Sequence, residues 1–208
     1  MIILIDNGHG NNTIGKASPV LDFDIPKEFV SNNRFREALY NRVIANKLVD
    51  RLKKNGYDAR LVVFEDRDVS LSERVRRINT VCNREGVNNV ILISIHSNAC
   101  GNGTSFSSAN GWEAYTTRGK TKSDKIADCL YKRAKMNFPN KKIRTDWTDG
   151  DIDKEADFYI IKKTKCAAVL TENFFYDNKE ELKYLTSEEG VEAVVKTHYE
   201  GIIDYLKE

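Results

Sequence analysis

The run Val90-Ile91-Leu92-Ile93-Ser94-Ile95 constrains the fold of this chain more than any other stretch. It has the length of a strand and is almost wholly apolar, so both of its faces must be buried. A strand buried on both faces lies within a sheet covered on both sides, and parallel sheets with helical crossovers are built that way. The rest of the sequence supplies such crossovers. Residues 2–6 read as a short apolar strand. Residues 37–54 bring Leu39, Val43, Leu48, Val49 and Leu52 close to a helical period that stops at Asn55-Gly56. Residues 59–64 read as a strand, and residues 71–85 set Leu71, Val75, Ile78 and Cys82 on one helical face. A strand at 111–117, a helix at 120–138, strands at 157–162 and 167–172, and a closing helix at 188–207 complete the pattern. Residues 11–34, with two of the three prolines, and the polar stretch 140–157 are expected to be loops. The expected fold is α/β. It is a single domain spanning 1–208, with a twisted, mainly parallel sheet of about six strands flanked by helices on both faces.

Bulk properties narrow the function. Among 208 residues, 40% are hydrophobic and 31% charged, which suits an ordinary globular protein with a sizeable core. The formal charge of +2 gives no reason to expect nucleic acid as a partner. No run approaches the ~18 apolar residues of a membrane helix, so no membrane insertion is expected. The N-terminus lacks the pattern of a signal peptide and leads directly into a Gly-rich turn. Cys82, Cys100, Cys129 and Cys166 form no C-x-x-C, so no Cys-based zinc site is expected. Cys82, Cys129 and Cys166 fall in apolar segments and are expected to be buried thiols, with Cys100 in a more open loop.

In sheets of this kind ligands bind beyond the carboxyl ends of the strands. Three strands end there in groups suited to chemistry. The first runs Asp6-Asn7-Gly8-His9-Gly10, with glycines that let the chain turn beside an imidazole. The central strand ends His96-Ser97-Asn98. A late strand ends Thr171-Glu172-Asn173, and apolar neighbours are expected to raise the carboxyl pKa of Glu172. Glu37, at the start of the first long helix, falls near the same edge. Two imidazoles and one carboxylate form an open zinc site that leaves a position for water. A further carboxylate outside the coordination sphere can then accept and return a proton. Each residue alone also has a structural reading: a hydrogen-bonded His, a Glu favoured by a helix dipole, a solvated turn acid.

Taken in order, these segments resemble the zinc-dependent N-acetylmuramoyl-L-alanine amidases of the amidase 3 family. Asp6-Asn7-Gly8-His9-Gly10 is similar to the family's D-x-G-H-G, Glu37-Ala38-Leu39-Tyr40-Asn41 to its E-x-x-x-N, and Ser94-Ile95-His96-Ser97-Asn98-Ala99 to its S-x-H-x-N-A. Gly111-Trp112-Glu113-Ala114-Tyr115 is similar to G-x-E-x-Y, and Val169-Leu170-Thr171-Glu172-Asn173-Phe174-Phe175 to V-L-x-E-x-x-F. The resemblance implies one Zn2+ held by His9, Glu37 and His96, with Glu172 as the catalytic glutamate. It also implies peptidoglycan or a muropeptide as substrate, cut between the lactyl group of N-acetylmuramic acid and L-alanine. Asn11 and Asn173 depart from the family pattern and are expected to reshape the groove.

Ser97 and Asn98 are candidates for substrate binding or for orienting His96. His198 falls on the apolar face of the last helix and reads as a satisfied core histidine. Trp147 is a candidate for stacking on sugar or for anchoring its loop. No G-x-S-x-G elbow or G-x-G-x-x-G loop is present. A wall-binding module without chemistry and a zinc peptidase acting elsewhere on the stem are the competing functions. The chain is expected to be a monomer acting on the cell wall, in a phage lysis enzyme or in a bacterial cell-separation or recycling enzyme.

Overall fold

A computed structural model describes residues 1–208. Its centre is a six-stranded sheet in the order β4-β1-β5-β8-β6-β7. β1 (Ile2–Asn7), β4 (Asp58–Leu61), β5 (Val90–Asn98) and β8 (Ala167–Phe175) run parallel. β6 (Glu113–Thr116) pairs antiparallel with β8, and the two-residue β7 (Lys154–Glu155) continues the edge.

Period-two alternation sorts the strand residues between two cores. Ile3, Ile5, Ile91, Ile93 and Ile95 join the larger core. It is closed by α1 (Glu37–Lys54), α3 (Lys122–Asn137) and α6 (Glu188–Lys207). Ile2, Leu4, Val90 and Leu92 face the smaller core under α2 (Leu71–Glu85) and the short α4 (Tyr159–Lys163). Both faces of the central strand are therefore covered, as its apolar run demands. Cys82, Cys129 and Cys166 are buried and Cys100 is exposed.

Several local expectations are corrected. Residues 157–162 contain no strand: Tyr159–Lys163 is helical, with Ile160 and Ile161 packed into the smaller core. A short apolar run carries no periodicity that separates a strand from one helical turn. Residues 11–34 are not all loop. They include a 3₁₀ turn at Lys27–Phe29 and a strand, β2 (Val30–Ser31), paired antiparallel with β3 (Arg34–Phe35). Asn32 and Asn33 make its two-residue turn with φ of 53° and 54°, the left-handed geometry that asparagine tolerates in tight hairpins. β7 lies inside the stretch 140–157. α5 (Lys179–Thr186) was not anticipated, although Asn178 caps it by accepting from the backbone N–H groups of Glu180 and Glu181.

His198 is fully buried in α6, as its place on the apolar face implies. The carbonyl of Val194 lies 2.8 Å from Nδ1 and the Thr171 hydroxyl 2.8 Å from Nε2. A carbonyl can only accept, so Nδ1 carries the proton and Nε2 accepts from Thr171. Burial lowers the pKa of this neutral imidazole to about 4. Between pH 6.5 and 4 the unfolded chain therefore binds a proton that the folded chain refuses, and stability falls as the solution is acidified. Denaturant titrations should show a slope up to about 1.4 kcal/mol per pH unit steeper in the wild type than in His198→Gln within that window. Equal slopes would show that His198 does not set this dependence.

Candidate active site

The register of the sheet builds the site. On the face carrying α2 and α4, Leu4 and Leu92 give way one pair later to Asp6 and Ser94. One pair further on, His96 stands opposite Glu172, and Glu172 opposite Glu113. Gly8 completes this row, its N–H donating to the carbonyl of Ile95. Adjacent strands lie ~4.8 Å apart, so side chains in one row are neighbours.

Gly8 and Gly10 are demanded by contact. A Cβ on Gly8 would lie 2.1 Å from Cε1 of His96, and one on Gly10 would lie 2.1 Å from the backbone N of Asp68. The missing side chain at Gly8 is thus the space that His96 fills. Between the glycines, His9 adopts φ 67°, a left-handed conformation costly for a residue with a side chain. Arg74 of α2 holds the turn in place. Its guanidinium donates to Asp6 Oδ1 at 2.7 Å and to the carbonyls of Asn7 and His9 at 3.2 and 3.0 Å. The other oxygen of Asp6 accepts from Ser94 at 2.7 Å.

Glu37 enters from the first turn of α1, and its side chain is 1% exposed. Oε1 lies 3.1 Å from His96 Nδ1 and accepts from the Ser97 backbone N–H at 3.2 Å and Asn41 Nδ2 at 3.3 Å. Oε2 lies 3.4 Å from His9 Nε2. The two imidazole rings meet edge to face with centroids 4.8 Å apart. One donor atom from each of His9, Glu37 and His96 falls within 4.8 Å of the others. His9 Nε2 and Glu37 Oε2 are buried without a hydrogen-bond partner. Unmatched lone pairs on converging groups are what a cation would satisfy, so the set fits a metal ion.

The charges are distributed unevenly. Burial lowers the pKa of His9 to about 3, overriding Glu37, so this imidazole is neutral and ready to ligate. Burial opposes the charge on Glu37, yet the His96 hydrogen bond and the nearby His9, His96 and Lys16 hold it down to about 2. Burial also opposes charge on His96, but Glu37, Glu172 and Asp6 raise its pKa. Lys16 Nζ approaches Glu37 Oε2 at 3.9 Å from the rim. Glu172 lies outside the cluster, and its Oε2 is shielded and unpartnered. Burial raises its pKa to about 8, with the charges of Glu37 and Glu113 adding and those of His96 and Lys16 opposing.

The structure thus gathers His9, Glu37, His96 and Glu172 at one strand edge. Ser97 is buried, and it gives its backbone N–H to Glu37. Asn98 is partly exposed and donates to Glu113 Oε1 at 2.7 Å. Asn173 faces inward: it accepts from Trp112 Nε1 at 2.9 Å and donates to the carbonyl of His96 at 2.8 Å. Arg74 was not singled out from the sequence. The only signal was a basic residue among the apolar positions of α2. Trp147 is 63% exposed in its loop.

Residues 3–204 match the model of the amidase 3 family, N-acetylmuramoyl-L-alanine amidase. The chain belongs to that family. It is 26% identical to an endolysin of Bacillus phage SPP1 over 99% of its own length and 66% of the relative. It is also 26% identical to the N-acetylmuramoyl-L-alanine amidase LytC of Bacillus subtilis, over 99% of its length and 35% of the relative. The chain therefore spans less than two thirds of each of these curated relatives. Among solved structures it resembles an N-acetylmuramoyl-L-alanine amidase from Clostridium difficile 630, at 25% identity and a TM-score of 0.73, covering 99% of this chain and 96% of that one. It also resembles AmiC2 of Nostoc punctiforme, at 22% identity and a TM-score of 0.77, covering 100% and 98%. The latter likeness speaks to the fold.

Gly8→Ala should push His96 off its position. Calorimetric titration with Zn2+ should show at least about tenfold weaker binding than the wild type, as expected when a ligand's orientation is lost. Unchanged affinity would mean that His96 does not depend on the gap at Gly8.

Proposed function

We propose that this chain hydrolyses the amide between the lactyl group of N-acetylmuramic acid and the L-alanine of the peptidoglycan stem, using one Zn2+ held by His9, Glu37 and His96. The observation that carries this reading is the convergence of unpartnered His9 Nε2 and Glu37 Oε2 beside a shielded Glu172 carboxyl, in a member of an amidase family. Two imidazoles and a carboxylate suit zinc and leave a coordination position open. When bound, the ion polarises the scissile carbonyl and acidifies water at that open position.

The chain's own residues do the rest. Glu172 takes the proton of the attacking water and passes it to the departing amine of L-alanine. Its raised pKa suits a group that must hold a proton near neutral pH and release it again. Asn41 and the Ser97 N–H fix the carboxylate plane of Glu37, while Arg74 fixes the turn that presents His9. Asn98 is the partly exposed member of the Ser97–Asn98 pair, and its amide is oriented by Glu113 and the Ala99 N–H, so it is the one that faces substrate. We read residues 1–208 as one catalytic domain that acts on the cell wall as a monomer.

Digestion of purified peptidoglycan tests the reading. The zinc-loaded wild type should release new L-alanine amino termini and no new reducing ends. Glu172→Gln should retain about one zinc by elemental analysis and lose activity by about 10²–10⁴-fold. A chelator should abolish activity, and added zinc should restore it. New reducing ends without freed L-alanine amines, or full turnover by Glu172→Gln, would overturn the proposal.

A further inference from the structure

Glu113 stands next to Glu172 in the row, yet its surroundings are the reverse. Its side chain is 1% exposed, and both oxygens are saturated. Oε1 accepts from Asn98 Nδ2 at 2.7 Å and from the Tyr115 hydroxyl at 2.9 Å. Oε2 accepts from Arg144 Nε at 2.6 Å and lies 2.8 Å from Lys154 Nζ. One carboxylate thus gathers two cations, and the cluster keeps a net charge of +1.

Both cations are clamped by backbone. Arg144 N–H donates to the Trp112 carbonyl, Lys154 of β7 pairs with Tyr115 of β6, and Ala156 N–H donates to the Thr116 carbonyl. The Arg144 guanidinium lies over the Phe175 ring at 5.3 Å. Its remaining contact is a long one, Nη1 to the carbonyl of Asn110 at 3.4 Å. The Arg144 and Lys154 side chains are 30% and 23% exposed, so they reach solvent while their carbons stay packed. A held guanidinium with spare N–H groups is a ready receptor for a carboxylate.

Direction follows from the proton path, and the inference therefore rests on the amidase reading above. The departing amine must lie within reach of Glu172 to take its proton. The row runs His96, Glu172, Glu113, so an amine within reach of Glu172 would direct the leaving peptide toward β6 and leave the glycan toward β1. The geometry points to Arg144 and Lys154 as a subsite that binds a carboxylate of the leaving peptide, borne by the acidic residue next to the released L-alanine. The pair selects stems whose carboxylate is free over stems in which it is a carboxamide.

Two muramoyl peptides that differ only in that group, free acid against amide, test the inference. The ratio of their kcat/KM values is read within one enzyme preparation, so any misfolded fraction cancels. The wild type should favour the free acid by about tenfold, mostly through KM. Arg144→Gln and Lys154→Gln should each lower that ratio by at least about threefold. Calorimetry with the two released peptides, L-alanine carrying the acid or the amide, should show the same preference in Glu172→Gln. A wild-type ratio near one, or a ratio unchanged in both variants, overturns the subsite. If the wild type cuts neither substrate but the peptides still bind with the acid preferred and the variants lose that preference, the subsite stands and the amidase reading falls. If it cuts neither and the peptides bind alike, both fall.

Discussion

The active edge depends on a carboxylate that cannot exist there alone. Glu37 is carried into the protein by the first turn of α1, and a buried charge without partners costs several kcal/mol or more. Its neighbours answer that cost unequally. Oε1 is met by an imidazole, a main-chain N–H and an amide, whereas Oε2 meets only His9 at 3.4 Å and the distant ammonium of Lys16. The half of the carboxylate that is satisfied fixes its orientation. The half that is not faces the second imidazole, which is itself unpartnered. A dication placed between them would relieve both deficits at once.

A second buried pair serves the first. Arg74 and Asp6 are each 2% exposed, and between them they tie α2, the end of β1 and the neighbouring β5 into one block. Replacing such a pair by apolar residues is often neutral or better for stability, so stability alone does not account for it. Its geometry does: the same guanidinium reaches the carbonyls of Asn7 and His9, on either side of Gly8. The strained φ of His9 is therefore held by hydrogen bonds from outside the turn. On β8 a comparable device follows Glu172. The register slips between His96 and Asn98, and Phe174 takes φ 60° while its ring packs on Phe138 and Tyr184. Bulges of this kind re-aim strands next to active sites.

What the sequence revealed and what it hid follow the range of the interactions. α1 was readable to its ends, because its apolar period and Asn55-Gly56 are local. The sheet was readable as mainly parallel because Val90–Ile95 needs cover on both faces. The gathering of His9, His96 and Glu172 at one edge was readable because glycines and strand ends mark them, and that of Glu37 because it opens the first long helix. Tyr159–Lys163 was misread because five residues hold too little period to separate strand from helix. The hairpin at Asn32-Asn33 left a signal in its turn residues, but strands of two residues show no alternation. The contacts of Arg74, of Asn173 and of the clamp on Glu113 were hidden for a different reason. Each acts through a partner more than thirty residues away in sequence or through a backbone carbonyl, and no spacing rule reports such contacts.

Two glutamates in register show how the fold divides labour between identical side chains. Glu113 and Glu172 face each other across β6 and β8, so they share depth and sheet face. Burial raises the carboxyl pKa of both, but Glu113 receives Lys154, Arg144 and Tyr115, and its pKa ends below the ordinary value. Glu172 receives no hydrogen bond at Oε2, and its pKa ends well above. The difference is made by residues 140–157, which reach the sheet edge through β7, through backbone bonds of Trp112 with Lys142 and Arg144, and through a hydrogen bond from Thr116 to Asp153. Like residues whose surroundings push their carboxyl pKa values apart can serve different roles. Glu172 suits the proton-carrying role proposed for it because the donors that could have quenched it are spent on Glu113, one strand away.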